Sequence, residues 1–196
     1  MPQLDLFAAE PRLPGLSYRA GVVAGDRLSA IAAAIDAAPL TPFRFQQWTG
    51  LRLTASHGWQ YDFERGQVAR AEPMPDWLLG VRAAAAGFAG LPAEALVQAL
   101  LTRYDPGAGI GWHRDRPVFE HVVGVSIGAP ATLRFRRRTA DGFDRFALPL
   151  TAGGTYHLTG EARWAWEHGI APMAETRWSI TFRSLTARFA REVGLA

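Results

Sequence analysis

The sequence predicts a mainly β protein of the α+β class, and three observations carry that expectation. From residue 96 onward, short apolar runs recur at near-regular spacing, punctuated by Gly and Pro. That texture belongs to a sandwich or barrel rather than to alternating strands and helices. Residues 43–63 alternate apolar and polar types and are rich in aromatic and β-branched side chains. Helical periodicity is confined to two stretches before residue 91. With 196 residues, 48% hydrophobic and 20% charged, the chain is sized for one compact domain with a modest extension, or two small domains at most.

Taken in order, residues 1–16 read as a flexible tail, with a short amphipathic Gln3-Leu4-Asp5-Leu6-Phe7 followed by the breakers Pro11, Pro14 and Gly15. Asp26 is placed to cap a helix in which Leu28, Ile31 and Ile35 share a face and which Pro39 closes. Phe43, Phe45, Trp48, Leu51, Leu53, Trp59, Tyr61 and Phe63 mark extended strands and a hairpin. Pro75-Asp76-Trp77 opens a second, Ala-rich helix that ends near Gly87–Gly90. Residues 17–95 therefore form an extension to a β-rich core over 96–196, the two making one compact unit. The core strands are Leu96–Tyr104, Val122–Ile127, Thr132–Arg136, Phe146–Leu150, Thr155–Leu158 and Trp178–Phe182.

Composition removes several kinds of chemistry. There is no cysteine, so disulfides, thiolate zinc sites, iron–sulfur clusters and thiol nucleophiles are excluded. All 21 basic residues are arginine, which excludes a Schiff-base or P-loop lysine. Arginine favours anionic partners, although a GC-rich coding bias would also replace Lys by Arg. No stretch reaches the roughly 20 apolar residues that span a bilayer. The start, Met1-Pro2-Gln3-Leu4-Asp5, lacks the basic and apolar regions of a signal peptide, so a cytoplasmic protein is expected.

What remains is chemistry by His, carboxylates, Arg and a metal. His113 and Asp115 stand two apart after the turn Pro106-Gly107-Ala108-Gly109, and on a strand such residues share a face. A lone His-x-Asp arises readily by chance, as a structural His beside a surface Asp. With His168 downstream, however, the set has the form of a 2-His-1-carboxylate facial triad, which holds iron(II) and leaves one side open. The open positions accept a bidentate 2-oxo acid and dioxygen, and the far carboxylate of that acid calls for a bidentate arginine. Arg177, Ser179, Thr181 and Arg183 lie on one face of the last strand, opposite Trp178, Ile180 and Phe182.

These segments resemble the AlkB family of iron(II)- and 2-oxoglutarate-dependent dioxygenases, which repair or edit alkylated nucleic acids. The resemblance runs over about residues 55–185. It is carried by Arg103-Tyr104-Asp105-Pro106-Gly107, His113-Arg114-Asp115, Val125-Ser126-Ile127-Gly128, Trp166-Glu167-His168-Gly169-Ile170 and Arg177–Arg183. It implies a double-stranded β-helix (jelly roll) core, iron(II), and the cosubstrates 2-oxoglutarate and O2. His113, Asp115 and His168 would be the iron ligands. Arg177 and Tyr104 would hold the distal carboxylate of 2-oxoglutarate, with Arg183 near its other end. Thr102 and Ser179 stand where the family commonly carries Asn beside the cosubstrate.

The implied activity is oxidative dealkylation of N-alkylated bases, such as N1-methyladenine and N3-methylcytosine in DNA, with release of succinate, CO2 and an aldehyde. Gly58-Trp59-Gln60-Tyr61 resembles the family's nucleotide-recognition lid; Trp59 and Tyr61 would receive a flipped base, or else pack on the core. Asp115 is followed by Arg116-Pro117, where some relatives carry a second acid that reads an exocyclic amine. Arg134, Arg136 and Arg138 alternate with Leu133 and Phe135, forming either a phosphate-binding ridge or a charged edge strand. Gln3-Leu4-Asp5-Leu6-Phe7 resembles the peptide by which bacterial repair proteins dock on the DNA sliding clamp; a tail folded back on the domain is the alternative. The expected protein is a monomer. Two rivals stand beside this reading: the same oxygenase chemistry on RNA, a protein side chain or a small molecule, and a non-enzymatic jelly-roll binding module.

Overall fold

Apolar runs too short for helices can bury themselves only by pairing, and this chain pairs them into two antiparallel sheets. The computed structural model describes residues 13–45, 48–62 and 66–195. The main sheet contains β1 (Leu16–Arg19), β2 (Thr41–Phe45), β3 (Trp48–Asp62), β5 (Gln98–Tyr104), β7 (Phe119–Gly128), β10 (Thr155–Leu158) and β12 (Arg177–Leu185). Their order is β1-β10-β7-β12-β5-β3-β2, with β4 (Gln67–Arg70) paired to the far half of β3. The second sheet is β6-β11-β8-β9, from β6 (Ile110–His113), β8 (Ala131–Thr139), β9 (Gly142–Leu150) and β11 (Glu167–Ile170). The facing quartets β10-β7-β12-β5 and β6-β11-β8-β9 form a double-stranded β-helix, the jelly roll expected from the sequence.

Alternation divides the main sheet between two cores. Val123, Val125, Ile127, Ile180 and Phe182 face outward and are covered by α1 (Leu28–Asp36) and α2 (Asp76–Ala89), which supply Ile31, Ile35, Leu78 and Val81. On the inner face Val122, Tyr156 and Leu158 meet Leu133, Phe135, Leu150 and Ile170 of the second sheet. Two short helices, α3 (Gly160–Trp164) and α4 (Ala187–Glu192), complete the described elements. No described helix is long and apolar enough to cross a membrane.

The structure departs from expectation at several points. The helix at Leu28 has no side-chain cap: Asp26 lies inside a 3-10 turn over Gly25–Arg27 that leads into it. Leu13 is buried, and Leu16 starts β1 opposite Leu158. Residues Gln3–Phe7 lie outside the described residues. The helical and hairpin extension is joined to the jelly roll by hydrogen bonding, since β3 pairs with β5 from Leu53↔Arg103 to Gly58↔Gln98.

Candidate active site

The inner faces of the main sheet and the strands opposite enclose a cavity of about 1020 Å³. Alternation delivers its lining from three adjacent strands: Arg52, Thr54 and Ser56 from β3, Gln98, Leu100, Thr102 and Tyr104 from β5, and Arg177, Ser179, Thr181 and Arg183 from β12. The pairings Arg177↔Tyr104, Ser179↔Thr102 and Arg183↔Gln98 set these side chains next to one another across the sheet.

His113, Asp115 and His168 meet at the other side of the cavity, each offering a ligand atom within 4.8 Å of the other two. Antiparallel pairing of β6 with β11 places His168 opposite His113, with ring centroids 4.4 Å apart. Asp115 reaches them differently from the expected same-strand geometry: β6 ends at His113, and Asp115 lies in the following loop. That loop is pinned from below. Buried Arg163 donates from Nη2 to the carbonyl oxygens of Arg116 and Phe119, each at 2.7 Å.

The Asp115 carboxylate divides its two oxygens. Oδ1 accepts from Arg183 Nε and Nη2, each at 2.7 Å, while Arg183 Nη1 donates to Gln98 Oε1 at 3.0 Å. Oδ2 lies 3.4 Å from His168 Nε2, and it is buried without a hydrogen-bond partner. Burial alone would raise the Asp115 carboxyl, but the Arg183 guanidinium and the two imidazoles outweigh it and hold the group well below the usual carboxylate range. Burial, with His113 adding to it, pushes the His168 imidazole down to about 3; burial also lowers His113. Both rings are therefore neutral lone-pair donors at physiological pH. His113 Nδ1 donates to the Gly111 carbonyl at 2.9 Å, which leaves Nε2 as its ligand atom. Two neutral imidazoles and one anionic oxygen with no other partner fit a divalent iron with open positions.

Across the cavity Arg177 is 1% exposed. Its Nη2 donates to Ser126 Oγ at 3.2 Å, its guanidinium lies 5.1 Å from the Tyr104 ring centroid, and its Nε and Nη1 are buried without partners. A buried cation with two unspent donors calls for an anionic ligand, and the distal carboxylate of a 2-oxo diacid has the matching fork. Thr102 and Ser179 are buried beside it on the cavity face.

The residues expected to meet substrate are separated. Tyr61 lines the cavity, with the Arg116 guanidinium 5.0 Å from its ring centroid, whereas Trp59 is buried under Arg70 and does not line it. Trp59 and Tyr61 both lie past Gly58, where β3 passes from β5 to β4 and whose φ of +75° lets the chain run by the Val97 carbonyl that a Cβ would strike. Arg134 and Arg136 stack on Trp112, at 5.1 and 4.7 Å from its centroid. Arg136 also donates to Glu167 at 2.6 Å, while Arg138 lies over Phe143 at 5.3 Å.

Ser126, Gln98, Tyr156 and Arg52 are contributors that the sequence did not single out. Ser126 is the polar residue inside the apolar run Val122–Ile127, a usable sign of a pocket. Tyr156 lies across Gly124, where any Cβ would overlap its ring. Its hydroxyl is pushed up to about 12 by burial and by the Asp115 charge, so it stays protonated. His121 and His157 pair with each other at 3.0 Å, and neither ring lines the cavity.

Comparison with known proteins agrees with this geometry. The family model of the 2OG-Fe(II) oxygenase superfamily matches residues 41–186. The chain is 28% identical to the alpha-ketoglutarate-dependent dioxygenase AlkB of Salmonella typhimurium over 92% of its own length and 97% of that protein. It is 27% identical to the mouse tRNA (carboxymethyluridine(34)-5-O)-methyltransferase ALKBH8 over 65% of this chain but 20% of that one. Among solved structures, OsALKBH1 superposes with a TM-score of 0.65 at 16% identity, covering 89% of this chain and all of that one. A prolyl-4-hydroxylase from Pseudomonas putida superposes with a TM-score of 0.63 at 17% identity, covering 88% and 93%. A facial triad at one side of a jelly roll, a buried guanidinium facing it, and a match over residues 41–186 together mean that this chain belongs to the 2OG-Fe(II) oxygenase superfamily, as an AlkB-like dioxygenase that uses iron(II), 2-oxoglutarate and O2.

Proposed function

We propose that this dioxygenase removes alkyl groups from base nitrogens in nucleic acid, acting on DNA in a repair role. Iron(II) held by His113, Asp115 and His168 would, with 2-oxoglutarate and O2, supply the oxidation of an N-alkyl carbon, after which the hemiaminal sheds an aldehyde and the base is restored. The chain's own residues do the rest. Arg183 fixes the orientation of Asp115, and Arg177 with Tyr104 seats the distal carboxylate of the cosubstrate. The surrounding sheet keeps bulk water from the reacting carbon.

The observation that carries the nucleic-acid reading is the arginine–aromatic ladder at the cavity wall. Trp112, which lines the cavity beside His113, is stacked by Arg134 and Arg136, and the series continues outward through Phe143 and Arg138. Aromatic faces suit an unstacked base and guanidinium groups suit the phosphates on either side of it. The AlkB similarity over nearly the whole chain supports the same reading. The clamp-docking role of Gln3–Phe7 and a cytoplasmic location complete the proposal.

A panel of single-stranded DNA and RNA oligonucleotides, each with one N-methylated base, tests it by mass spectrometry of the base and by formaldehyde release. Demethylation with equimolar succinate is expected, with DNA preferred. A second reading, hydroxylation of a protein side chain, is favoured by the likeness to the prolyl-4-hydroxylase fold. It predicts 2-oxoglutarate consumption that no methylated oligonucleotide stimulates.

A further inference from the structure

The cavity is unevenly charged. Five arginines line it, Arg52, Arg114, Arg116, Arg177 and Arg183, and Asp115 is the one carboxylate among its lining residues. Asp115 is already paired with Arg183, and Arg177 is committed to the far carboxylate of the cosubstrate. Iron(II) and the 2-oxoglutarate dianion cancel each other. Arg52 is left with neither role.

Arg52 is 7% exposed, and its guanidinium lies 3.8 Å from the ring centroid of Phe43, which also lines the cavity. No carboxylate among the described residues pairs with it. It lines the same cavity as His113, Asp115 and His168. Burial lowers the guanidinium, and Tyr104 offsets this in part. A guanidinium that is stacked on a ring and lines the cavity favours acceptor oxygens among the groups that enter.

We propose that Arg52 is the specificity-determining residue of the substrate pocket. It accepts neutral N-alkylated bases whose alkylated nitrogen is flanked by carbonyl oxygen, as in N3-methylthymine and N1-methylguanine. It disfavours N1-methyladenine and N3-methylcytosine, which carry a positive charge when protonated. The inference rests on the nucleic-acid reading above. Its chemistry is that a guanidinium donates to a carbonyl and repels a cation: N1-methyladenine lacks the acceptor and leaves the donor unpaired, while N3-methylcytosine keeps its C2 carbonyl and is disfavoured by charge. Arg116 at the position after Asp115 points the same way, since a cation stands there in place of an acid that would accept from an exocyclic amine.

The test compares four short single-stranded oligonucleotides that differ only in the lesion, using wild type, Arg52→Gln, Arg52→Glu and Phe43→Leu. The readouts are kcat/KM from formaldehyde release and anaerobic binding by fluorescence anisotropy. In the wild type, the two neutral lesions should exceed the cationic pair by about tenfold or more. Arg52→Gln should shrink that ratio by about tenfold, Arg52→Glu should invert it, and Phe43→Leu should shrink it by about threefold. Each ratio is measured within a single preparation, so a loss of fold or of metal divides out. Preference of the wild type for the cationic lesions, or a ratio that Arg52→Gln leaves unchanged, overturns the role of Arg52 while the nucleic-acid reading stands. Consumption of 2-oxoglutarate with no turnover of any of the four lesions overturns the nucleic-acid reading and the base preference with it.

Discussion

At the buried end of the cavity the contributing side chains hang from strands paired on both sides: Arg177 and Ser179 from β12, Tyr104 and Thr102 from β5, Ser126 from β7. Around the mouth they stand on less constrained supports. Thr41 and Phe43 belong to the edge strand β2, Trp112 to the edge strand β6, and Arg114 and Arg116 to the loop after it. The first region is built to hold one small diacid in one pose, and groups on strands locked by two neighbours have little freedom to adapt. The second presents arginines and aromatic rings on edge strands and in a loop, which suits the proposed meeting with a polymer. The cosubstrate end and the mouth thus stand on different kinds of backbone, and His113 on β6 and Asp115 in the loop belong with the second.

The largest effect should come from the triad. His168→Ala should lower 2-oxoglutarate turnover by at least about a thousandfold while circular dichroism still reports a folded jelly roll; substantial iron-dependent turnover would mean that the metal is held elsewhere. Arg177→Met should raise the KM for 2-oxoglutarate by about a hundredfold. Without cosubstrate the same variant should melt no lower than wild type, because it removes an unpaired buried charge. In thermal melts, the rise that 2-oxoglutarate gives the wild type should vanish. An unchanged KM would demote Arg177 to a packing group and erase the contrast between the two ends.

Smaller effects sharpen the boundary. Trp59→Ala should destabilise the fold by about 3 kcal/mol, as loss of a buried ring does, read in urea melts rather than in the KM for oligonucleotide. Tyr61→Ala should do the reverse. If Trp59→Ala raised KM with stability intact, the recognition surface would have to extend behind Gly58. Arg138→Ser should be the mildest change, lowering the salt dependence of oligonucleotide binding by just under one unit of log–log slope. A slope that stays put would assign the Arg138–Phe143 stack to the surface alone.

The chemistry at the buried end was legible because strand periodicity does the positioning. Arg177 and Arg183 are six apart, and alternation alone puts both on one face. His113 and His168 come from strands that pair, so the spacing of motif and downstream His survives folding. Asp115 shows the limit: the two-residue spacing pointed to the correct cluster by way of the wrong geometry. Trp59 and Tyr61 show another, since alternation does not reveal that β3 leaves β5 for β4 just beyond Gly58. The strand Leu16–Arg19 follows Pro14 and Gly15 and has no periodic run of its own; it exists because β10 offers an edge. Arg52 was invisible for a related reason. Its meaning depends on no described carboxylate pairing with it, and that is settled by chain segments far away in sequence.

The near-complete burial of Arg177 has a bearing on sequence of events. On the proposed nucleic-acid reading, diacid and base share one cavity, and Arg177 lies buried in its wall. That reading expects the diacid to board first and succinate to leave after the base. An oligonucleotide present early in excess should behave as a plug as well as a substrate.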